Sequence, residues 1–219
     1  MSARAPSPPP TPRAFRVRLG VAVRPAAPCD VPAAAAVLAR AFRDDPVTGF
    51  LLGDGGRRPG ALEDFFALQL LRSYLPHGGV SLATLPGDQV VGALLALGPE
   101  SVGSLGAEVG FALQLAQLLR TRYVPARRLG HALGRRRPPV PHLYIGTIGV
   151  EPTLWRRGIG AALLAPVLAA ADREGRPAYL ECSRAENLSF YTRLGFSCTE
   201  VLERVRTPPL WLMTRPARR

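Results

Sequence analysis

The sequence predicts an α/β (α+β) fold in which helices flank a mixed central β-sheet of about seven strands. Short apolar or alternating runs, typical of strands, are separated by longer runs with apolar residues at helical spacing. Pro86-Gly87-Asp88, between two apolar runs, indicates a β-hairpin. A later apolar run is followed by a glycine-containing turn and a helix, which indicates a strand–turn–helix unit at the centre of the fold.

Composition limits the classes of protein that the chain can represent. It has 219 residues, 47% of them hydrophobic, and a net charge of +12, and all 28 basic residues are arginine. The absence of lysine excludes a Walker-type phosphate loop, a Schiff-base enzyme and a protein kinase, because each needs a lysine. The basic balance favours an anionic partner, such as a phosphorylated cofactor.

Cysteine and histidine usage predicts a reduced, cytoplasmic protein without a metal. The cysteines are odd in number and form no CxxC pair, and the histidines lack metal-ligand spacing. They are Cys29, Cys182, Cys198, His77, His131 and His142. No apolar run reaches the ~20 residues that span a bilayer, and no signal-peptide core follows the N-terminus, so we expect no membrane partner.

The N-terminal part predicts a tail, a strand and a helix. Residues 1–13 are rich in proline, serine and arginine, which predicts a disordered tail before a single domain over residues 14–219. Phe15–Arg24 alternates as a half-buried strand does, and Asp30 is a suitable N-cap for a helix over Val31–Phe42. The turn after that helix contains Asp44 and Asp45, which either solvate the turn or face a cationic substrate.

The middle of the chain predicts a helix, a hairpin and a helical insertion between the third and fourth strands. Ala61–Leu75 has helical spacing, Val80–Leu85 and Gln89–Leu97 are apolar strands, and residues 101–134 are helical but less regular. Seven arginines lie in residues 120–137. They form a solvated helix flank, contact cofactor phosphates or contact nucleic acid; we expect no nucleic acid because Tyr123 is the only interleaved aromatic residue.

The central stretch predicts an anion site. A buried strand ends at Val150, Glu151-Pro152-Thr153 breaks it, and a helix follows Arg156–Ala161. Free backbone N–H groups and the positive end of the dipole at this helix start would bind a pyrophosphate. Gly158 and Gly160 would let it approach closely. Pro166, inside the helix, is expected to kink it or to divide it in two.

The remaining residues predict a strand, a short helix and two last strands. Ala178–Cys182 is the strand, and Leu180 and Cys182 share one of its faces, with Tyr179 and Glu181 on the other. The short helix is predicted over Asn187–Leu194, the last strands over Ser197–Val205 and Leu210–Thr214, and their connection over Thr207-Pro208-Pro209.

A dinucleotide-binding fold is the first alternative for the phosphate ligand, because Gly158 and Gly160 fit part of its G-x-G-x-x-G motif. Leu163 stands where the third glycine is required, and Glu151–Arg157 separates the strand from Gly158 where that fold has a tight turn. Too few residues follow Glu181 for the strand–helix units that such a fold still needs. These points weaken the oxidoreductase hypothesis.

Two motifs with correct spacing carry a different resemblance. Trp155-Arg156-Arg157-Gly158-Ile159-Gly160 is similar to Q/R-x-x-G-x-G/A, with Trp155 in the first position, and Asn187 precedes Tyr191 by four residues just before Leu194-Gly195-Phe196. From His142 onward the chain resembles the GNAT acetyltransferase superfamily, which implies a GNAT fold and acetyl-CoA as co-substrate. From about residue 20 it is most similar to the puromycin N-acetyltransferase branch. That likeness lies in Val23-Arg24-Pro25, Asp30-Val31-Pro32, Ala41-Phe42 with Asp44-Asp45-Pro46, the helical segment after Pro99-Glu100-Ser101-Val102, Pro166, Leu180-Glu181 and Trp211–Arg215.

The resemblance also implies roles for residues. The strand over Thr147–Val150 would bulge and splay from the next strand, so that its backbone pairs with pantetheine and polarises the acyl carbonyl. Tyr191 would protonate the leaving thiolate and Asn187 would bind the pantetheine arm. The cofactor-binding residues would be Ile148, Gly149 and Val150 for pantetheine, and Arg156, Arg157, Gly158, Ile159, Gly160 and Ala161 for the pyrophosphate.

The acceptor is expected to be a primary amine of a small molecule, attacked directly in a ternary complex. Glu181 is the best candidate base, directly or through water, and a structural role in a surface pair is its alternative. Asp44 or Asp45 would instead attract the cation, and Glu108 in the intervening helices is a further candidate. Cys182 is interpreted as a buried apolar residue because it shares the face of Leu180. A non-catalytic CoA-binding module and a protein or peptide acetyltransferase remain alternatives, and the protein is expected to be a monomer or homodimer.

Overall fold

A computed structural model describes residues 20–53, 60–102, 109–204 and 207–218. The predicted tail over residues 1–13 and the start of the first predicted strand lie outside these residues. Within them, the cysteines are free thiols. A search of the helices in this part of the chain finds none with the length and hydropathy to cross a membrane.

A seven-stranded sheet forms the centre of the fold, in the order β1-β2-β3-β4-β5-β7-β6. Its strands are β1 (Ala22–Pro25), β2 (Val80–Leu85), β3 (Gln89–Leu97), β4 (Leu143–Val150), β5 (Ala178–Cys182), β6 (Ser197–Arg204) and β7 (Thr207–Arg215). Only β4 and β5 run parallel, so the sheet is mixed. This confirms the predicted sheet.

Helices lie on both faces of the sheet. They are α1 (Val31–Ala41), α2 (Pro46–Leu52), α3 (Ala61–Gln69), α4 (Pro99–Val102), α5 (Val109–Leu119), α6 (Tyr123–Gly134), α7 (Ile159–Arg173) and α8 (Leu188–Arg193). The segment α4–α6 is the predicted insertion between β3 and β4. The sequence did not indicate α2, which begins directly after the predicted turn because the Asp45 carboxylate accepts hydrogen bonds from the N–H groups of Val47 and Thr48.

Alternate residues of the strands build two separate cores. On the first face, Leu82 and Leu95 pack with α1, α3 and residues of α5 and α6. On the second face, Leu94, Ile145 and Leu180 pack with α7 and α8. Because strand side chains alternate, Tyr179 and Glu181 project to the first face, as predicted.

Three local predictions need correction. The helix from Ala61 does not continue to Leu75, because α3 ends at Gln69 and a π-helical turn over Leu70–Tyr74 follows. Pro166 does not divide its helix; α7 is continuous, and Pro166 lies on its exposed side, where water can bind the carbonyl left without a donor. Thr207-Pro208-Pro209 belongs to β7 and is not a connection. The prolines are tolerated because β5 pairs with β7 only from Trp211 onward.

A buried ion pair fastens the last strand to α7. The Arg215 guanidinium, 3% exposed, donates to both carboxylate oxygens of Asp172 at 2.7 Å and to the carbonyl of Leu194 at 3.0 Å. These bonds hold the pKa of Asp172 below its usual value. Arg215 also fixes the loop that carries Leu194 after α8. The pair therefore joins the two elements that support the C-terminal half of the fold.

We expect Asp172→Asn to destabilise the protein by about 2 kcal/mol, or ~4–8 °C in Tm, because it leaves a buried guanidinium without its charge partner. Thermal unfolding measures this, with Glu100→Gln at the exposed Arg176 pair as the control that changes Tm by less than ~2 °C. A lowered pKa stabilises the fold above the unfolded pKa, so the difference between wild type and Asp172→Asn should shrink as the pH falls below about 4. Equal Tm values for the two proteins at pH 7 would contradict the prediction.

Candidate active site

A gap opens between the two parallel strands at the centre of the sheet. Strands β4 and β5 pair only from Leu143↔Ala178 to Ile145↔Leu180, although β4 continues to Val150. Gly146 is the extra residue at a register shift against β3, so the bulge stands directly after the last pair with β5. The predicted bulge and splay are therefore present, with the bulge one residue before Thr147.

The predicted pantetheine-binding residues of β4 do not all direct their backbone groups toward the gap. The Glu151 N–H donates to the Val91 carbonyl at 2.9 Å, and alternation in an antiparallel pair then directs the backbone of Gly149 toward β3. The backbone groups of Ile148 and Val150 consequently point toward the gap. A Cβ at Gly149 would stand 2.8 Å from Leu38 Cδ2, so this glycine permits close packing of α1.

Trp155 occupies the motif position where the resembling family has glutamine or arginine. Its indole N–H donates to the carbonyl of Val150 at 2.7 Å, and the side chain is 52% exposed. One of the carbonyls directed toward the gap is therefore already bonded within the protein. Ile148 N–H, Ile148 C=O and Val150 N–H are the remaining groups that can pair with an extended ligand.

The turn after β4 ends at an uncapped helix start. Arg156 and Gly158 have φ of +61° and +84°, and Gly158 is the N-cap of α7 without a side-chain cap. The first hydrogen bond of α7 joins Ala162 N–H to the Gly158 carbonyl, so the N–H groups of Ile159, Gly160 and Ala161 precede the helical ladder. Arg156 and Arg157 are exposed beside them. This arrangement can bind a phosphate group.

The short helix α8 presents Tyr191 to the second face. The Tyr191 ring is 8% exposed and packs edge-to-face on Phe190 and Phe196, with centroid distances of 5.0 Å and 6.0 Å. Among the described residues its hydroxyl has no hydrogen-bond partner, yet the oxygen is not one of the fully buried polar atoms that lack one. Burial, and to a lesser extent Cys182, raises the pKa of Tyr191 well above its usual value. Asn187 is exposed at the N-cap of α8.

Glu181 lies on the first face, one residue beyond the last β4–β5 pair. The Tyr144 hydroxyl donates to Glu181 Oε2 at 2.9 Å, and the guanidinium carbon of Arg137 lies 4.0 Å from the centroid of the Tyr144 ring. Burial raises the pKa of Glu181 above its usual value, whereas the Arg137 charge and the hydroxyls of Tyr144 and Tyr179 oppose this increase. Glu181 is therefore a carboxylate with increased basicity at the edge of the gap.

Polar atoms without partners concentrate in this same cluster. Within the described residues, the buried side-chain polar atoms that lack a hydrogen bond are Glu181 Oε1, Tyr179 Oη, Arg137 Nε and His142 Nε2. The Tyr179 ring stacks on Tyr144 with a centroid distance of 6.3 Å and meets His142 edge-to-face at 5.9 Å. Such concentration of unsatisfied groups is typical of functional sites and not of cores.

The sequence allowed Glu181 to be proposed and Tyr179 to be placed on its face, but it did not bring Tyr144 into the cluster. Tyr144 is adjacent to Ile145 in a strand with period-two alternation, so its face could have been read, but the register that brings it beside Glu181 could not. Arg137 was predicted only as one of many arginines of the insertion. Its packing on Tyr144 depends on where the chain re-enters β4.

The other acidic candidates have structural roles or lie outside the described residues. Asp45, 5% exposed, caps α2 and accepts a hydrogen bond from the Ser183 hydroxyl, while the Arg184 side chain donates to the Asp44 carbonyl. The α1–α2 turn is thereby fastened to the residues that directly follow β5. Glu108 is not among the described residues.

Four arginines of the arginine-rich segment lie away from the start of α7. Arg127, Arg128, Arg135 and Arg136 line an open groove of about 890 Å³ between α6 and Glu200 of the edge strand β6. This groove lies on the first face, whereas α7 and its free N–H groups lie on the second. In the described part of the chain, no three His, Cys, Asp or Glu residues are grouped so that they could hold a metal ion.

Comparisons with known proteins agree with this geometry. Residues 122–196 match the model of the Acetyltransferase (GNAT) family. A solved structure from Corynebacterium glutamicum, described as histone acetyltransferase HPA2 and related acetyltransferase, is 24% identical with a TM-score of 0.70, over 91% of this chain and 98% of that one. A Drosophila melanogaster polyamine N-acetyltransferase that forms N-acetylagmatine is 18% identical, with a TM-score of 0.56, over 89% and 97% of the two chains. The Escherichia coli ribosomal-protein-S18-alanine N-acetyltransferase is 16% identical, with a TM-score of 0.51, over 90% and 94%.

The family match and the fold point to the same group of proteins. The matched residues 122–196 include β4, the turn after it, β5 and α8 of the mixed seven-stranded sheet and its helices. Residues 122–196 are therefore similar to GNAT acetyltransferases, and the chain has the fold of solved acetyltransferases. Substrates of the similar structures range from polyamines to proteins, so the class does not specify the acceptor.

Proposed function

We propose that the protein transfers an acetyl group from acetyl-CoA to the primary amine of a small molecule, by direct attack of the amine in a ternary complex. The observation that carries the proposal is the end of β4–β5 pairing at Ile145↔Leu180, immediately beside an uncapped helix start. A gap of this kind admits an extended pantetheine arm while the helix start binds its pyrophosphate.

The donor half of the site follows from these groups. Ile148 and the Val150 N–H would pair with the pantetheine amides, with Gly149 acting only through packing. Arg156, Arg157 and the N–H groups of Ile159, Gly160 and Ala161 would bind the pyrophosphate, with Gly158 supplying the turn. Asn187 would bind the pantetheine arm from α8. This arrangement supplies orientation, which is the main requirement of an already reactive thioester.

The chemical half of the site uses both faces of the sheet. Glu181, on the first face, would accept a proton from the incoming ammonium group, and Tyr191, on the second, would protonate the thiolate that leaves. The raised pKa of Glu181 supports the first role, because it makes the carboxylate a stronger base. The raised pKa of Tyr191 supports the second, because the phenol stays protonated at neutral pH.

A small acceptor is supported by the first face beside the gap, where Tyr144, Tyr179 and the Glu181 carboxylate form a polar cluster with little exposure to solvent. The resemblance to puromycin N-acetyltransferases adds aminonucleosides to the candidates, and the similar structures add polyamines, agmatine and peptide N-termini. Free thiols at Cys29, Cys182 and Cys198 support a reduced, cytoplasmic setting.

Thiol release tests the proposal. The protein is mixed with acetyl-CoA and a panel of an aminonucleoside, spermidine, agmatine and a peptide with a free N-terminus, while free CoA is titrated. Turnover of one or more of the small amines is expected, with slower turnover of the peptide. Fastest turnover of the peptide would favour a peptide acetyltransferase. Binding of CoA without any turnover would indicate a non-catalytic module.

Gly158→Val tests the donor site separately from the chemistry. Valine is strained at a φ of +84°, so the turn must change and the free N–H groups of α7 lose their direction. We expect CoA binding, measured by calorimetry, to weaken at least tenfold. Gly130→Val is the control, because Gly130 lies in α6 with open space around it. Unchanged CoA affinity in Gly158→Val would place the pyrophosphate elsewhere.

A further inference from the structure

Tyr74 reaches the gap through an unusual helical turn. A π-helical turn over Leu70–Tyr74 follows α3, and it holds one residue more than an α-helical turn, which rotates the following side chains toward a different face. The Tyr74 side chain is 4% exposed in the core of the first face. In the described part of the chain its hydroxyl has no hydrogen-bond partner, and the oxygen is not one of the fully buried polar atoms that lack one.

Two tyrosines meet at the glycine of the β4 bulge. A Cβ at Gly146 would overlap the Tyr74 hydroxyl and would lie 3.0 Å from Tyr74 Cζ and 3.2 Å from Tyr144 Cε1. Gly146 directly follows the last residue of β4 that pairs with β5. The Tyr74 hydroxyl therefore stands over the backbone at the point where the gap begins, near the ring of Tyr144, whose hydroxyl donates to Glu181.

The charges around these hydroxyls form one coupled group. Burial and then the Glu181 charge raise the pKa of Tyr74, and the same two causes raise the pKa of Tyr144. Arg137, packed on the Tyr144 ring, opposes both increases. His142 and Tyr179 complete the titratable groups of the cluster. Tyr74 and Tyr144 consequently remain neutral hydroxyls that can each donate and accept a hydrogen bond.

We propose that Tyr74 positions the acceptor amine over Gly146 and that Tyr144 relays a proton from the amine to Glu181. This inference rests on the proposed function. One N–H of the ammonium group donates to the Tyr74 hydroxyl. A second N–H bond breaks toward the Tyr144 oxygen as the Tyr144 O–H bond breaks toward Glu181 Oε2. The carboxylate becomes neutral, Tyr144 is unchanged, and the freed electron pair of nitrogen attacks the acyl carbon. Glu181 then needs no direct contact with the amine, which agrees with the burial of its Oε1 atom away from solvent.

Tyr74→Phe and Tyr144→Phe test the two roles with the aromatic rings retained. We expect Tyr74→Phe to raise the KM of the amine about tenfold, with kcat and the KM of acetyl-CoA nearly unchanged. We expect Tyr144→Phe to lower kcat on the order of 10²-fold and to remove the acidic limb of the kcat–pH profile. CoA binding by calorimetry confirms that each variant is folded. Tyr123→Phe, in the groove of α6, is the matched control.

Gly146→Ala provides an independent test, because its methyl group must displace the Tyr74 hydroxyl. Its effect on the KM of the amine should be smaller in a Tyr74→Phe background than in the wild type. An unchanged amine KM in Tyr74→Phe, or an equal loss of acetyl-CoA affinity, would overturn the role of Tyr74. A Tyr144→Phe profile that keeps its acidic limb would overturn the role of Tyr144.

Amine binding to the CoA complex separates this inference from the proposed function. The probe is the panel amine with the highest kcat/KM, or agmatine if no amine is turned over. A wild type that binds agmatine without turnover contradicts the proposed function, and weaker binding by Tyr74→Phe then still supports the position of the amine. A wild type that binds no amine overturns both.

Discussion

Tyr191→Phe is expected to lower kcat on the order of 10²-fold, because phenylalanine cannot protonate the departing thiolate of CoA. The KM of acetyl-CoA should remain within about twofold of the wild-type value, since the role proposed for the hydroxyl lies in the chemical step and not in binding of the donor. The ring contacts with Phe190 and Phe196 are retained, so the fold of α8 should not change. Initial rates of thiol release at saturating amine measure the effect.

Two further measurements separate acid catalysis from packing. A thioester donor with a more acidic leaving thiol needs less protonation, so it should recover part of the lost rate in Tyr191→Phe. Phe190→Leu, which disturbs packing beside the same site, should not show this recovery. Because burial keeps the pKa of Tyr191 above its usual value, the wild-type kcat should also show no alkaline fall below pH 10. A Tyr191→Phe rate equal to wild type would contradict the assigned role.

Local pattern predicted most of the scaffold. The β2–β3 hairpin, β5 and the start of α7 follow from alternation, turn residues and glycine placement, each of which acts over a few neighbouring residues. The boundaries that failed depend on distant contacts. The change from α3 to a π-helical turn at Leu70 places Tyr74 against Gly146, and no residue near Leu70 carries that information.

The donor and acceptor halves of the proposed site differ in how far apart their residues lie in the sequence. The proposed pyrophosphate turn is contiguous in sequence, so glycine spacing was enough to propose Arg156–Ala161. The proposed acceptor half combines Tyr74 from a helix, Tyr144 from β4 and Glu181 from β5, and only the folded sheet brings them together. Trp155 gave a partial signal, because it departs from the motif, but its bond to the Val150 carbonyl required the folded turn.

Glu181→Gln is expected to lower kcat on the order of 10²-fold and to abolish the acidic limb of the pH profile. In the wild type, activity should fall as the pH decreases through the raised pKa of Glu181, because the protonated carboxyl can no longer accept a proton. Protonation of the amine adds a second acidic limb to the pH profile of kcat/KM. Amines of different basicity distinguish the two limbs, since the limb due to Glu181 stays at one pH while the limb due to the amine moves with the pKa of the amine. Glu200→Gln, at the α6 groove, is the control.

Stability gives an independent test of the same substitution. A carboxyl whose pKa is raised on folding binds more protons in the folded state, so it destabilises the fold as the pH rises above its unfolded pKa. Removing that charge should leave Tm at pH 7 unchanged or higher, although activity is lost, and the difference should shrink toward pH 4. A protein that keeps a costly buried carboxylate against its own stability does so for its chemistry. A large decrease in Tm at pH 7 in Glu181→Gln would instead indicate a structural ion pair with Arg137 and would contradict the role as base.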